Sequence, residues 1–205
     1  MIRRPPRSTQ GVSSEASDVY KRQGFSGLLT TNGPLSAAKV VISAGIWSRD
    51  LCLKLGSRVP LESHRGYHAT LEEPGVAVER MCFPVDYKFA VTPMSMGLRI
   101  AGTVELAGLE EPPNYNRARK LVEVGQKLFP GLRTEKYTQW MGHRPCLPDS
   151  LPVIGESPRH PNVYFAFGHG HQGLLGASQT AKVIDELISG RELSMALNPF
   201  RIDRF

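Results

Sequence analysis

The stretch Val163-Tyr164-Phe165-Ala166-Phe167-Gly168-His169-Gly170-His171-Gln172-Gly173-Leu174 decides the reading of the fold. Five apolar residues ahead of a glycine read as a buried strand. Leu174, Ala177, Ala181, Ile184 and Ile188 then step by three and four, which reads as a helix from about Leu174 to Ser189 closed by Gly190. Strand, glycine turn and helix together offer an electron-rich ligand free backbone N–H groups and the positive end of a helix dipole, and glycine permits close approach. The same arrangement also serves as a plain connection, so at this point both readings stand.

Working outward, Phe25 to Thr31, the turn residues Asn32-Gly33 and the run Lys39 to Ser43 read as a strand, a tight turn and a buried strand. Ile46 to Leu55 mixes apolar and charged positions ahead of Gly56, as a short helix does. Residues 57–112 change character. Strand-like pieces around Val59 to Leu71, Ala90 to Thr92 and Leu98 to Glu105, separated by proline and glycine, predict a mostly antiparallel sheet. Ala118, Leu121, Val122, Leu128 and Phe129 predict an amphipathic helix over 115–129, ended by Pro130-Gly131, with its apolar stripe on that sheet. A strand at Thr138 to Gly142 and a proline-rich passage from Arg144 to Gly155 lead back to the opening stretch.

The 205 residues are 40% apolar, enough to bury a core in one or two domains. No apolar run approaches the roughly 20 residues that cross a bilayer, and the first residues lack the apolar segment of a secretory signal, so the expected compartment is the cytoplasm. Cys52, Cys82 and Cys146 lie far apart without a CxxC pair and read as ordinary buried or partly buried thiols. Of the net charge of +6, half comes from the first 23 residues, where Arg3, Arg4, Arg7, Lys21 and Arg22 face Glu15 and Asp18. The rest is scattered without a basic stripe interleaved with aromatics, which argues against a nucleic-acid partner. Those 23 residues are poor in apolar positions and rich in Arg, Ser and Pro, so they are expected to be disordered. They also resemble the conceptual translation of a sequencing adapter joined to a reading frame; a genuine flexible tail is the alternative.

PNVYFAFGHGHQGLLGASQTAKVIDELI, from Pro161 to Ile188, resembles a segment of the FAD-dependent D-amino-acid dehydrogenase and glycine oxidase family. Gly142-His143-Arg144-Pro145, followed by Pro148-Asp149-Ser150-Leu151-Pro152-Val153-Ile154-Gly155, resembles that family's GxRP element and its continuation. Ala44-Gly45-Ile46-Trp47-Ser48 is similar to its AGxWS turn, and Arg65-Gly66-Tyr67-His68 to its RGY strand. The resemblance implies that the cofactor is FAD. It would be held by Ala44, Gly45, Trp47, Gly142 and the turn Gly168, His169, Gly170, His171, Gln172, Gly173 and Leu174. Arg144 would bind the substrate carboxylate, its planar fork matching the carboxylate and keeping its charge at any working pH. Tyr67 would stand near the substrate. For Arg144 the alternative is a pairing with Asp149 or a helix end, for Tyr67 a half-buried strand aromatic, and for Ala44 to Ser48 a simple connection.

The implied fold is α/β in two domains. Residues 24–56 and 141–205 belong to a partial FAD-binding domain of glutathione-reductase type, and 57–140 form a substrate-binding domain of mixed, mostly antiparallel sheet with a helix. The implied reaction oxidises a D-amino acid to an imino acid, then a 2-oxo acid, by hydride transfer to FAD, with oxygen or a quinone as electron acceptor. No catalytic side chain is named, because the cofactor carries the chemistry. Glycine, sarcosine or hydroxyproline as substrate is the alternative within the class, and a non-catalytic truncated product the alternative outside it. A GxGxxG strand–turn–helix with an acidic residue about 20 positions on, the element that holds the ADP half of FAD, belongs on the amino-terminal side in this family and is not read here. The 205 residues alone are therefore expected to be inactive. His143, His169 and His171 have no cysteine or carboxylate at ligand spacing, so no metal is expected, and neither a GxSxG elbow nor a Walker loop occurs.

Overall fold

The structure, a computed structural model, describes residues 16–21 and 25–205. Ten strands and three α-helices follow in chain order: β1 (Ala16–Lys21), β2 (Phe25–Thr30), β3 (Gly33–Ser36), β4 (Val40–Ile42), α1 (Ser48–Lys54), β5 (Glu62–Leu71), β6 (Phe89–Met94), β7 (Gly97–Leu106), α2 (Asn116–Leu128), β8 (Tyr137–Cys146), β9 (Val153–Glu156), β10 (Val163–Phe167) and α3 (Gly173–Ser189). They fall into two compact units, one made of the chain up to Glu62 with Pro145–Phe205, the other of Ser63–Arg144.

In the first unit β10 lies at the centre of a three-stranded sheet, parallel to β4 and antiparallel to β9. Val163, Phe165 and Phe167 are almost fully buried, which is why this strand reads as a continuous apolar run. Tyr164 and Ile154 pack with Val183 and Ile184 of α3, so the helix is fixed to the sheet by its carboxyl-terminal half. Gly190 ends it in the left-handed conformation, with φ 65°. A second sheet of β1, β2 and β3 is antiparallel throughout. Asn32 and Gly33 close the β2–β3 hairpin, where the Thr30 hydroxyl donates to the Gly33 carbonyl at 2.8 Å. Two expectations change here. β3 was not foreseen, and Ala16–Lys21, within the segment expected to be disordered, forms a strand because it has β2 to pair with. Residues 1–15 and 22–24 lie outside the described residues, so the expectation for the rest of that segment does too.

In the second unit the strand order is β6-β7-β5-β8, with β7 antiparallel to both β5 and β6. Ala118, Leu121 and Val122 are the buried stripe of α2, and Leu121 joins Leu71, Phe89, Val91, Leu98, Ile100 and Leu132 in one core. Each such side chain contributes on the order of 1.5–3 kcal/mol by leaving water.

One buried polar network breaks this apolar pattern. Arg65 has no exposed surface. Its guanidinium donates to the carbonyls of Gly108 at 3.0 Å, Pro112 at 3.3 Å and Glu111, and pairs with Glu105 at 3.5 Å. Glu105 also accepts from Arg117 at 3.2 Å and from the Tyr67 hydroxyl, which in turn accepts from the Asn114 amide at 3.0 Å. A bulge in β7 makes this possible. The register shifts between Arg65↔Glu105 and Tyr67↔Gly102, and Thr103 within the bulge takes φ 63°, a costly conformation for a β-branched residue. The hydrogen bond from Tyr67 and then the two arginines hold the Glu105 carboxyl below the usual carboxylate range. Removing a buried partner from such a network costs several kcal/mol, because the remaining charge and carbonyls stay buried. Arg65→Met should therefore destabilise the chain by about 3 kcal/mol in a denaturant titration; a loss below ~1 kcal/mol would show that the network is dispensable.

Candidate functional site

In the first unit, the turn between β10 and α3 is built on glycines in conformations other residues avoid, φ 83° at Gly168 and 54° at Gly170. A side chain at Gly168 would stand 2.6 Å from Leu147 Cδ1, so close packing as well as backbone angle selects glycine. The Gly170 amide is held by the Pro145 carbonyl at 2.9 Å, and His169 Nε2 meets the Thr180 hydroxyl at 2.9 Å, which ties the turn to the body of α3. Burial lowers the pKa of His169, leaving a neutral ring in a structural role. No side chain caps α3 at Gln172, and Leu174 and Leu175 are 94% and 80% exposed. An uncapped helix start beside uncovered apolar surface suits a flat, electron-rich ring that can accept from backbone amides and cover leucine. The residues at this turn thus fit the flavin part of FAD.

Also in the first unit, Gly45 at φ 57° starts a 3-10 turn, Gly45–Trp47, closed by Trp47 N–H to the Ala44 carbonyl at 3.1 Å. It delivers the chain from β4 into α1, as a connection does. Asp149 is engaged by Arg204, at 2.8 Å from Nε. Its carboxyl titrates low because of that bond. Cys52 is buried, its thiol pushed up to about 12, whereas Cys82 is exposed, against the expectation of burial.

In the second unit, alternation along β8 puts Trp140, Gly142 and Arg144 on one face, and Gly66 and His68 share a face of the neighbouring β5. Both glycines lie under large side chains. A Cβ at Gly66 would overlap the Arg144 guanidinium, and one at Gly142 would overlap the Trp140 indole. The indole also stacks on His68, with ring centres 5.1 Å apart and planes 24° apart. Burial, then the Arg99 cation, lowers the His68 pKa to about 4. His143 Nδ1 meets the Ser63 hydroxyl at 2.7 Å, and burial followed by the Arg65 charge lowers its pKa too.

Tyr67 moves away from its expected role. Tyr67 is only 1% exposed and its hydroxyl is taken up by Glu105 and Asn114, so it is a core residue rather than a pocket aromatic. Gly142, expected at the cofactor, falls in the second unit and serves the Trp140 ring. Gly66 and Trp140 join this face as partners that the sequence alone does not single out. A glycine inside a strand signals close approach, but the letters do not say of what. Gly168, Gly170 and Gly173 also spell GxGxxG between a strand and a helix. Among the described residues no strand follows α3.

Residues 12–187 match the family model of the FAD dependent oxidoreductases. The chain belongs to this family. It is 38% identical over 182 residues to a D-amino-acid oxidase of Bradyrhizobium diazoefficiens and 32% identical over 182 residues to a D-amino acid dehydrogenase of Paramagnetospirillum magneticum. Both alignments cover 87% of this chain but 43% of the relative, so the chain spans less than half the length of these curated relatives. A crystal structure of glycine oxidase from Geobacillus kaustophilus superposes with a TM-score of 0.80 at 23% identity, over 93% of this chain and 52% of that one. L-proline dehydrogenase from P. horikoshii gives 0.76 at 20%, over 93% and 53%. These likenesses establish the α/β fold. Among the described residues no helix is long and apolar enough to cross a membrane.

The lowered His68 pKa has a direct consequence. Unfolded, the ring takes up a proton near pH 6.5; folded, it resists until about 4, so stability is lost as pH falls through that window. Thermal unfolding of the chain should shift to lower temperature between pH 7 and 4.5, and His68→Phe, which keeps the stack, should flatten the slope. An unchanged slope in the variant would mean that His68 does not titrate there.

Proposed function

We propose that this chain is the flavin- and substrate-binding part of an enzyme that oxidises D-amino acids to imino acids. The carrying observation is Arg144, laid flat over Gly66 at the end of β8 in a chain 38% identical to a D-amino-acid oxidase. The guanidinium would receive the α-carboxylate in a two-pronged, charge-assisted contact and so orient the α-carbon. Gly168 to Leu174 would hold the flavin, the start of α3, which no side chain caps, favouring negative charge on the ring edge it faces. FAD supplies, when bound, the acceptor for the hydride that leaves the α-carbon. His68, His143 and His169 are all held neutral, so none adds a competing positive charge at neutral pH.

In the full-length protein carrying this chain, Arg144→Ala should lower kcat/KM for D-amino acids by about thirty-fold to several hundred-fold, a loss on the order of 2–4 kcal/mol. Arg144→Lys should recover only part, because an ammonium keeps the charge and loses the fork. FAD content should stay near that of the parent. Retained activity in Arg144→Ala, or loss of flavin together with activity, would remove Arg144 from substrate binding.

A further inference from the structure

We propose that Gly66 is a positioning residue for the carboxylate-binding arginine: its missing side chain is the seat on which the Arg144 guanidinium rests. The inference rests on the proposed role of Arg144 and adds what sets its place. Three observations carry it. A Cβ at Gly66 would overlap Cζ, Nη1 and Nη2 of Arg144 together, so the whole planar group, and not one edge of it, lies over this α-carbon. The flanking residues fix the seat. Arg65 is anchored by three loop carbonyls and Glu105, and Tyr67 is anchored by Glu105 and the Asn114 amide. Finally, the β7 bulge lies opposite, between the pairs Arg65↔Glu105 and Tyr67↔Gly102, so the backbone at Gly66 is shaped by the same network.

These facts decide which side yields when a methyl group is added. Moving the β5 backbone would break several buried hydrogen bonds at once, whereas Arg144 meets the seat with the far end of a flexible side chain. The guanidinium moves, on the order of 1 Å, and the strand stays. Alanine at Gly66 should therefore leave the fold intact and misplace the group that reads the substrate. A displacement of that size in a binding group costs ~10- to 100-fold.

The test is a double-mutant cycle in the full-length protein, with D-alanine as substrate and benzoate as a carboxylate probe. Expected is a rise of about ten-fold or more in KM for D-alanine and in the Kd for benzoate in Gly66→Ala, with kcat changed less, and with parental FAD content and melting temperature. In the Arg144→Ala background the same substitution should have no further effect on benzoate binding, because there is no guanidinium left to displace. If Arg144→Ala weakens binding but Gly66→Ala does not, or if the two effects add, the positioning role is overturned and the carboxylate reading survives. If Arg144→Ala leaves benzoate and D-alanine binding unchanged, both fall. If Gly66→Ala loses flavin or melts early, Gly66→Ser read by benzoate titration in the folded fraction decides, since serine adds the same Cβ; unimpaired binding there overturns the role.

Discussion

The second unit depends on one constraint: the Arg65 guanidinium has no water around it and must find every partner inside the protein. Desolvating a cation costs several kcal/mol, and only near-complete hydrogen bonding offsets that. Glu105 provides the opposite charge, but its reach is set by the bulge that re-aims it, with Thr103 strained at φ 63° to form it. The loop carbonyls at Gly108, Glu111 and Pro112 provide the rest. A sheet edge, a loop and the start of α2, through Arg117 and Asn114, are thereby fixed relative to β5. An apolar residue at 65 would leave Glu105 and these carbonyls without their donor, and it would not specify where the 107–114 loop goes.

How much of this could be read in the letters follows from the range of each interaction. The two long helices and β10 were legible because apolar spacing is a local signal: α2 and α3 begin and end within a residue or so of the stripes that predict them. The turn at Gly168 to Gly173 was legible as a glycine-rich strand-to-helix joint. β3 and β9 were not, because strands of four residues, Gly-Pro-Leu-Ser and Val-Ile-Gly-Glu, carry little periodicity of their own and exist through their neighbours. Nor was β1, a short mixed strand that pairs with β2.

The candidate site divides in the same way. Arg144 was singled out by its GxRP setting, whereas its seat on Gly66 joins residues 78 positions apart and is invisible without the sheet. Tyr67 failed for a related reason. Alternation says that a strand residue faces one side or the other, but which side holds Glu105 depends on a bulge in a different strand. Gly142 lies under a tryptophan two residues away, a contact that the motif does not announce.

The electrostatics of the Arg144 face follow from these placements. Histidine is the one side chain that ordinarily changes charge between pH 5 and 8, and an imidazolium beside a carboxylate site would make binding depend on pH there. In the second unit His68 and His143 are both pushed toward the neutral form by burial, with Arg99 and Arg65 adding to the effect. Guanidinium charge does not vary over that range. A carboxylate held by Arg144 would therefore be read by a cation of constant charge, with His68 and His143 as largely uncharged neighbours.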